Sequence, residues 1–169
     1  LFGGNMFEIP QMIYRTDNFL MLIASEPNHA HRLLDALVEM HLSNLETYLN
    51  KVGQYIDIIL FGDDLGMQSG PQISPKMYRE FIKPRHQMLW KRAKQLAPHI
   101  KVMLHCCGGV RPLLDDLAAD QSANAHPACQ AHRQIDTGDA AKLDAEDFVV
   151  AQDYRKRHKQ QNIRNRTER

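Results

Sequence analysis

The sequence has few cysteines and no long hydrophobic run. Its 169 residues contain three cysteines, two of them adjacent, which do not make a disulfide framework. The best apolar run, FLMLIA at 19–24, is far shorter than the roughly 18 residues that a membrane-spanning helix needs. The first residues, LFGGNMFEIP, lack the basic start and apolar stretch of a secretory signal. From these absences we expect a reducing cytoplasm and no membrane-spanning helix.

Charge of one sign is also missing, as are the nucleotide-binding motifs. The formal net charge is +1 and the pI is about 7.9, so no global field selects nucleic acid, a membrane surface or an acidic partner. Neither GxGxxG nor GxxxxGK[ST] occurs, so the sequence gives no indication of a loop that binds nucleotide phosphates. We expect a small-molecule substrate and no nucleic acid. The basic last stretch, AQDYRKRHKQQNIRNRTER, is typical of a solvated terminus.

What is present is an alternation of helices and strands. With 43% hydrophobic and 24% charged residues, the chain can bury a core as one domain. Apolar spacing and caps predict helices at 17–26, 29–52, 74–96 (kinked near Pro84) and 110–120, with buried strands at 55–61 and 100–106. Strands joined by such helices form right-handed crossovers, which build either an open doubly wound sheet or a (β/α)8 barrel. The predicted fold class is therefore α/β.

The pattern ends near residue 120. Residues 121–169 show neither helix nor strand periodicity, apart from a short helical turn that could form around 140–148. We therefore divide the chain into a domain at 1–120 and an irregular or disordered basic segment at 121–169. The chain starts with Leu1 and not with methionine, and the residues that follow are typical of the middle of a domain, so we expect an N-terminal truncation.

His105 and Cys107 are candidate metal ligands, because they lie where the second strand gives way to its loop. In an extended segment residues i and i+2 point to the same side, so both can converge on one ion while Cys106 points into packing. Zinc accepts imidazole and thiolate together. In the alternative, both cysteines are core residues and His105 bonds a backbone carbonyl. Cys129 could be a third ligand, but nothing in the sequence positions it.

The loop after the first strand, GDDLG, is the second candidate. Asp63 and Asp64 could face a substrate cation, a metal or a proton in transfer, or could equally serve as caps and turn formers. Gly66 and Gln68, further along this loop, are candidate substrate contacts. Four histidines fall within predicted helices and are expected to be surface or cap residues: His29, His31, His41 and His86.

Two stretches, FGDDLGMQSGPQISPKMYREFIKPRHQMLWKRAK and KVMLHCCGGVRPLLDDL, resemble the uroporphyrinogen decarboxylase superfamily, and within it the cobalamin-linked methyltransferase-like branch. The resemblance extends from about Gly3 to Leu117. It implies a (β/α)8 barrel with its active site at the carboxyl ends of the strands. It also implies one of two chemistries. The decarboxylases act on uroporphyrinogen, in porphyrin biosynthesis, without a cofactor. The methyltransferases hold zinc through an H-x-C motif and a later cysteine, and pass a methyl group from a corrinoid protein to a thiol.

His105-Cys106-Cys107 satisfies H-x-C as it stands, so the resemblance favours zinc at His105 and Cys107, with Asp63 and Asp64 at the substrate mouth. Three parts of the family pattern are missing: the arginine-rich N-terminal segment of the decarboxylases, the third zinc ligand, and the strand expected after Asp120. A closed barrel needs about 200 or more residues. We therefore expect a partial barrel, a fragment of a zinc-dependent methyltransferase. The alternatives are a uroporphyrinogen decarboxylase and a non-catalytic remnant that binds a partner.

Overall fold

A computed structural model describes residues 2–119 and the backbone of residues 148–150. Seven-residue α1 (Glu8–Tyr14) is followed by α2 (Thr16–Ser25) and by the long α3 (Pro27–Val52). A single 3-10 turn at Gly53–Tyr55 leads into strand β1 (Ile58–Gly62). Helix α1 was not predicted. Of the strand predicted at 55–61, Tyr55 belongs to this turn instead, and β1 begins at Ile58.

The helix predicted at 74–96 is confirmed in three consecutive parts. Short α4 (Pro75–Met77) leads into a wider π-helical turn (Tyr78–Ile82) and then into α5 (Lys83–Leu96). The Ser74 side chain accepts a hydrogen bond from the N–H of Met77 at 3.2 Å and so caps the helix. The wide turn directly precedes Pro84, whose ring nitrogen cannot donate to the preceding turn, and this explains the irregularity predicted there.

Strand β2 (Lys101–His105) pairs with β1 in parallel, from Ile58 opposite Lys101 to Gly62 opposite His105. A 3-10 turn (Arg111–Leu113) and α6 (Leu114–Ala119) follow. A third strand, β3 (Phe148–Val150), pairs in parallel with β2, so the described strands form one parallel sheet in the order β1-β2-β3. The α/β class is confirmed. Strand β3 was not predicted, and the rest of segment 121–169, including Cys129, lies outside the described residues.

The core lies between the sheet and the helices α3 and α5. Helix α3 turns one face inward, with Ala30, Leu34, Leu37, Val38, Leu45 and Leu49 buried at the three- and four-residue steps that predicted it. Opposite them, α5 and the π turn bury Tyr78, Ile82, Leu89 and Trp90, and the strands bury Ile59, Phe61, Val102 and Leu104.

In the described part of the chain, no helix combines the length and hydropathy needed to cross a membrane.

The segment before α1 lies along the free edge of β1. Phe2 N–H donates to Leu60 O at 2.9 Å, and Gly62 N–H donates to Gly3 O at 2.8 Å. Gly3 and Gly4 have φ values of 90° and 68°, in a region where glycine carries no steric penalty, and there the chain turns away from the strand. This path delivers residues 5–8 to the carboxyl end of β1.

Candidate metal centre

The candidate site lies where β1 and β2 end side by side. Because the strands are parallel and Gly62 pairs with His105, the loops that follow both strands leave the sheet at the same edge. Asp63 and Asp64 follow β1, and Cys106 and Cys107 follow β2. The topology therefore brings both sequence candidates into one neighbourhood.

His105 and Cys107 point to the same side, as the alternation of an extended segment predicts. Cys107 Sγ lies 3.3 Å from His105 Nε2. Cys106 points the opposite way into the core, with 1% of its surface exposed, and its sulfur accepts the N–H of Leu65 at 3.3 Å. Burial raises the pKa of Cys106 to about 12, so this residue stays a neutral thiol. The two cysteines thus have different environments, and only Cys107 faces the loop side of the strand.

Asp64 joins this pair. Its Oδ1 accepts the backbone N–H of Cys107 at 2.7 Å and lies 3.7 Å from His105 Nε2. Donor atoms of Asp64, His105 and Cys107 all lie within 4.8 Å of one another. The side chains of His105 and Asp64 are 39% and 31% exposed, so the cluster is open to solvent. An imidazole, a thiol and a carboxylate gathered this closely offer the donor types that zinc binds.

Asp63 has a different place. It is 0% exposed, and its carboxylate accepts the backbone N–H groups of Met6, Phe7 and Glu8 at 2.7–2.9 Å. His86 Nε2 lies 3.0 Å from the same carboxylate. These bonds satisfy the donors at the start of α1, so Asp63 is a buried cap for that helix and does not line the mouth.

The expectation that the helical histidines are surface or cap residues is wrong for His86 and His41, which are 1% and 6% exposed. His86 Nδ1 lies 3.1 Å from the Tyr78 hydroxyl, and its ring stacks on Trp90 at 4.9 Å between centroids. A signal for this was present in the sequence. Ile82, Leu89 and Ala93 form an apolar stripe at helical spacing, and residue 86 falls on the same face of the helix.

Gly66 packs against the loop after β2. A Cβ at Gly66 would lie 2.6 Å from the carbonyl oxygen of Cys107, and a Cβ at Gly108 would lie 2.4 Å from the carbonyl carbon of Gly66. Gly109 N–H donates to Met67 O at 2.7 Å and fastens the two loops together. Both positions therefore need glycine because a side chain would collide with the facing loop. Gln68, the other predicted substrate contact, is exposed on the loop after β1.

Glu8 is a site residue that sequence reasoning missed. Its half-buried carboxylate accepts a hydrogen bond from the Asn5 amide and lies near Asp63 and Asp64. Burial, followed by the nearby charges of Asp63 and Asp64, raises its pKa above the ordinary value. No local pattern could have placed Glu8 here, because the contact joins residues 55 or more positions apart in the chain.

Comparison with known proteins gives two findings. Residues 4–147 match the profile of the family described as "Uroporphyrinogen decarboxylase (URO-D)". Among solved structures, a methyltransferase from Methanosarcina mazei is similar, with a TM-score of 0.55 and 20% sequence identity over 69% of this chain and 32% of that one. The chain thus spans about a third of the length of that structure. Curated proteins give no match.

Proposed function

Because the chain belongs to the uroporphyrinogen decarboxylase family, we propose that its intact form transfers a methyl group from a corrinoid protein to a thiol, with zinc held by His105 and Cys107. One observation carries this proposal. At the carboxyl end of β2 the imidazole and the thiol of these residues meet at 3.3 Å, while the adjacent Cys106 is buried away from them. The H-x-C spacing thus produces the convergence that a metal site needs.

The residues present fit zinc in chemistry as well as in position. Imidazole nitrogen and thiolate sulfur are its preferred protein ligands, and a catalytic site keeps one position open for substrate. When bound, zinc would lower the pKa of a substrate thiol, which then reacts as a thiolate. The chain's own contribution is to hold the ligands at a solvent-open edge that a thiol and a second protein can reach, since His105 is 39% exposed.

The likeness to the methyltransferase of Methanosarcina mazei supports the proposal at the level of fold. His105 and Cys107 lie at the end of a parallel strand, and barrel enzymes present their catalytic residues at such ends. Zinc as the cofactor, the corrinoid donor and the thiol acceptor all belong to the proposal.

A second candidate is decarboxylation of uroporphyrinogen, which the description of the matching family favours. In that case Asp64, and not the buried Asp63, would contact the substrate, and the metal would have no role. The two functions therefore differ in whether Cys107 matters.

The test begins with zinc binding by the purified chain, measured by competition with a chromogenic chelator. We expect Cys107→Ala to weaken zinc binding by at least about 10-fold, because even outer-shell partners are worth about 10- to 100-fold in metal affinity. The matched control Cys106→Ala, which changes the neighbouring buried thiol, should leave the affinity within about threefold. Equal effects of both substitutions, or no effect of either, would overturn the proposed site.

Activity is then measured with methylcobalamin as the donor and a panel of small thiols, from the loss of methylcobalamin absorbance. Zinc-dependent demethylation that Cys107→Ala abolishes supports methyl transfer. Turnover of uroporphyrinogen that is indifferent to zinc and to Cys107→Ala would replace the proposal by decarboxylation. Neither activity in a chain that also binds no zinc would favour the non-catalytic alternative.

A further inference from the structure

We infer that Asp64 is the third protein ligand of this metal site, so that one carboxylate, one imidazole and one thiolate hold the ion. The inference rests on the proposed zinc site and adds a residue from a different strand. The resemblance to the family implies a later cysteine in this position, whereas the described structure places a carboxylate beside His105 and Cys107.

The strand register explains why Asp64 arrives there. Gly62 of β1 pairs with His105 of β2, and Asp64 and Cys107 each lie two residues beyond that pair. The alignment continues past the strands, because Asp63 N–H donates to His105 O at 3.0 Å. Asp64 and Cys107 therefore occupy equivalent positions on neighbouring strand ends, which brings their side chains to the same edge.

A hydrogen bond from the neighbouring strand end then orients the Asp64 carboxylate. The N–H of Cys107 donates to Oδ1 at 2.7 Å, which ties the carboxylate to the backbone of a second proposed ligand. Carboxylate ligands in metal sites are held by such outer hydrogen bonds, which fix their direction. Asp64 is thus oriented before any ion arrives.

The resulting ligand set is consistent with a catalytic site. Three protein ligands leave a fourth position for the substrate thiol. The charges of one thiolate and one carboxylate neutralise a divalent ion, as two thiolates would. The carboxylate is the harder ligand, so this site should discriminate less strongly in favour of soft ions than a site with two thiolates.

The experiment measures zinc affinity of the full chain and of Asp64→Ala and Asp64→Asn. Asp57→Asn is the matched control, because Asp57 is an exposed aspartate just before β1, at the opposite end of the same strand. We expect both Asp64 variants to lose at least about 10-fold in zinc affinity. Asp57→Asn should remain within about threefold. Circular dichroism of each variant verifies that the fold is retained, and Asp64→Asn keeps an oxygen for the Cys107 N–H if Asp64→Ala does not fold.

A second measurement counts the thiolates. Cobalt(II) in the site gives a sulfur-to-cobalt absorption band whose intensity rises with each thiolate bound. We expect the intensity of one thiolate, lost in Cys107→Ser and kept in Cys106→Ser and Cys129→Ser. Two-thiolate intensity, halved by Cys129→Ser, would overturn the assignment of Asp64, and so would parental zinc affinity in both Asp64 variants.

The failure of this inference is distinguishable from failure of the proposed function. If His105→Ala and Cys107→Ala weaken zinc binding while both Asp64 variants bind like the parent, only the assignment of Asp64 is wrong. If the His105 and Cys107 variants also bind like the parent, the zinc site itself is wrong, and Asp64 loses its assignment with it.

Discussion

Asp63 and Asp64 are adjacent in sequence and have opposite environments. Asp63 is sealed between the start of α1 and His86, whereas the side chain of Asp64 is 31% exposed beside His105 and Cys107. The sequence identified both carboxylates as candidates but could not assign their roles. The difference is decided by Met6–Glu8 and by His86, which come from distant parts of the chain.

At this residue scale we predict that Asp63→Ala destabilises the fold by more than about 2 kcal/mol, because each buried donor left without its acceptor costs about 1–3 kcal/mol. The substitution leaves His86 and three backbone N–H groups without their acceptor in the core. Urea unfolding followed by circular dichroism measures the free energy. Asp57→Asn, on an exposed residue, should change it by no more than about 0.5 kcal/mol. A loss below about 1 kcal/mol for Asp63→Ala would contradict the proposed capping role.

At the scale of elements, the site depends on two loops that touch through glycine backbones. Gly108 has a φ of 80°, and a Cβ there would lie 2.4 Å from the backbone of Gly66, which cannot move without shifting the loop after β1. We predict that Gly108→Ala costs more than about 2 kcal/mol, since the left-handed backbone alone costs roughly 1–2 kcal/mol. The variant should also bind zinc more weakly, because the added Cβ would push the two loops apart and so separate Cys107 from Asp64.

Gly109→Ala is the control for this prediction. A Cβ at Gly109 meets its nearest neighbours at 3.4 Å, and its φ is not positive, so the loss should stay below about 1 kcal/mol. Urea unfolding and zinc titration of the two variants provide the comparison. Equal losses would mean that the contact with Gly66 is not what holds the loops together.

The same scale shows which parts of the fold could be predicted. Apolar periodicity predicted α3 and β2 to within two or three residues, and Ser74-Pro75 marked the start of α4. Those signals are local. Helix α1 was missed because it has only seven residues, and the Asp63 carboxylate that caps it comes from another part of the chain. The burial of His86 was readable from helical spacing, but its polar ring suggested the surface.

At the scale of the whole molecule, the sequence predicted the location of the site better than its composition. Alternating helices and strands imply parallel strands, and parallel strands place all their carboxyl ends at one edge. That argument was sufficient to bring GDDLG and HCC together. It could not place Phe2 beside Leu60 or Glu8 beside Asp64, since contacts between such distant residues leave no periodic pattern. Glu8 therefore enters the site only once the fold is known.

The proposed site also links the stability of the molecule to zinc, because its ligands come from the ends of two strands. An ion that binds the folded state and not the unfolded state stabilises the fold by about 2.7 kcal/mol when its free concentration is 100 times the Kd. For a chain of this size that raises Tm by at least about 5 °C. Differential scanning calorimetry of the full chain with zinc should show the rise, and removal of zinc by a chelator should reverse it.

Magnesium, which prefers oxygen ligands in an octahedron, should give no rise. Cys107→Ala and Asp64→Ala should lose most of the zinc effect, while an undiminished rise in both would place the bound zinc elsewhere on the molecule.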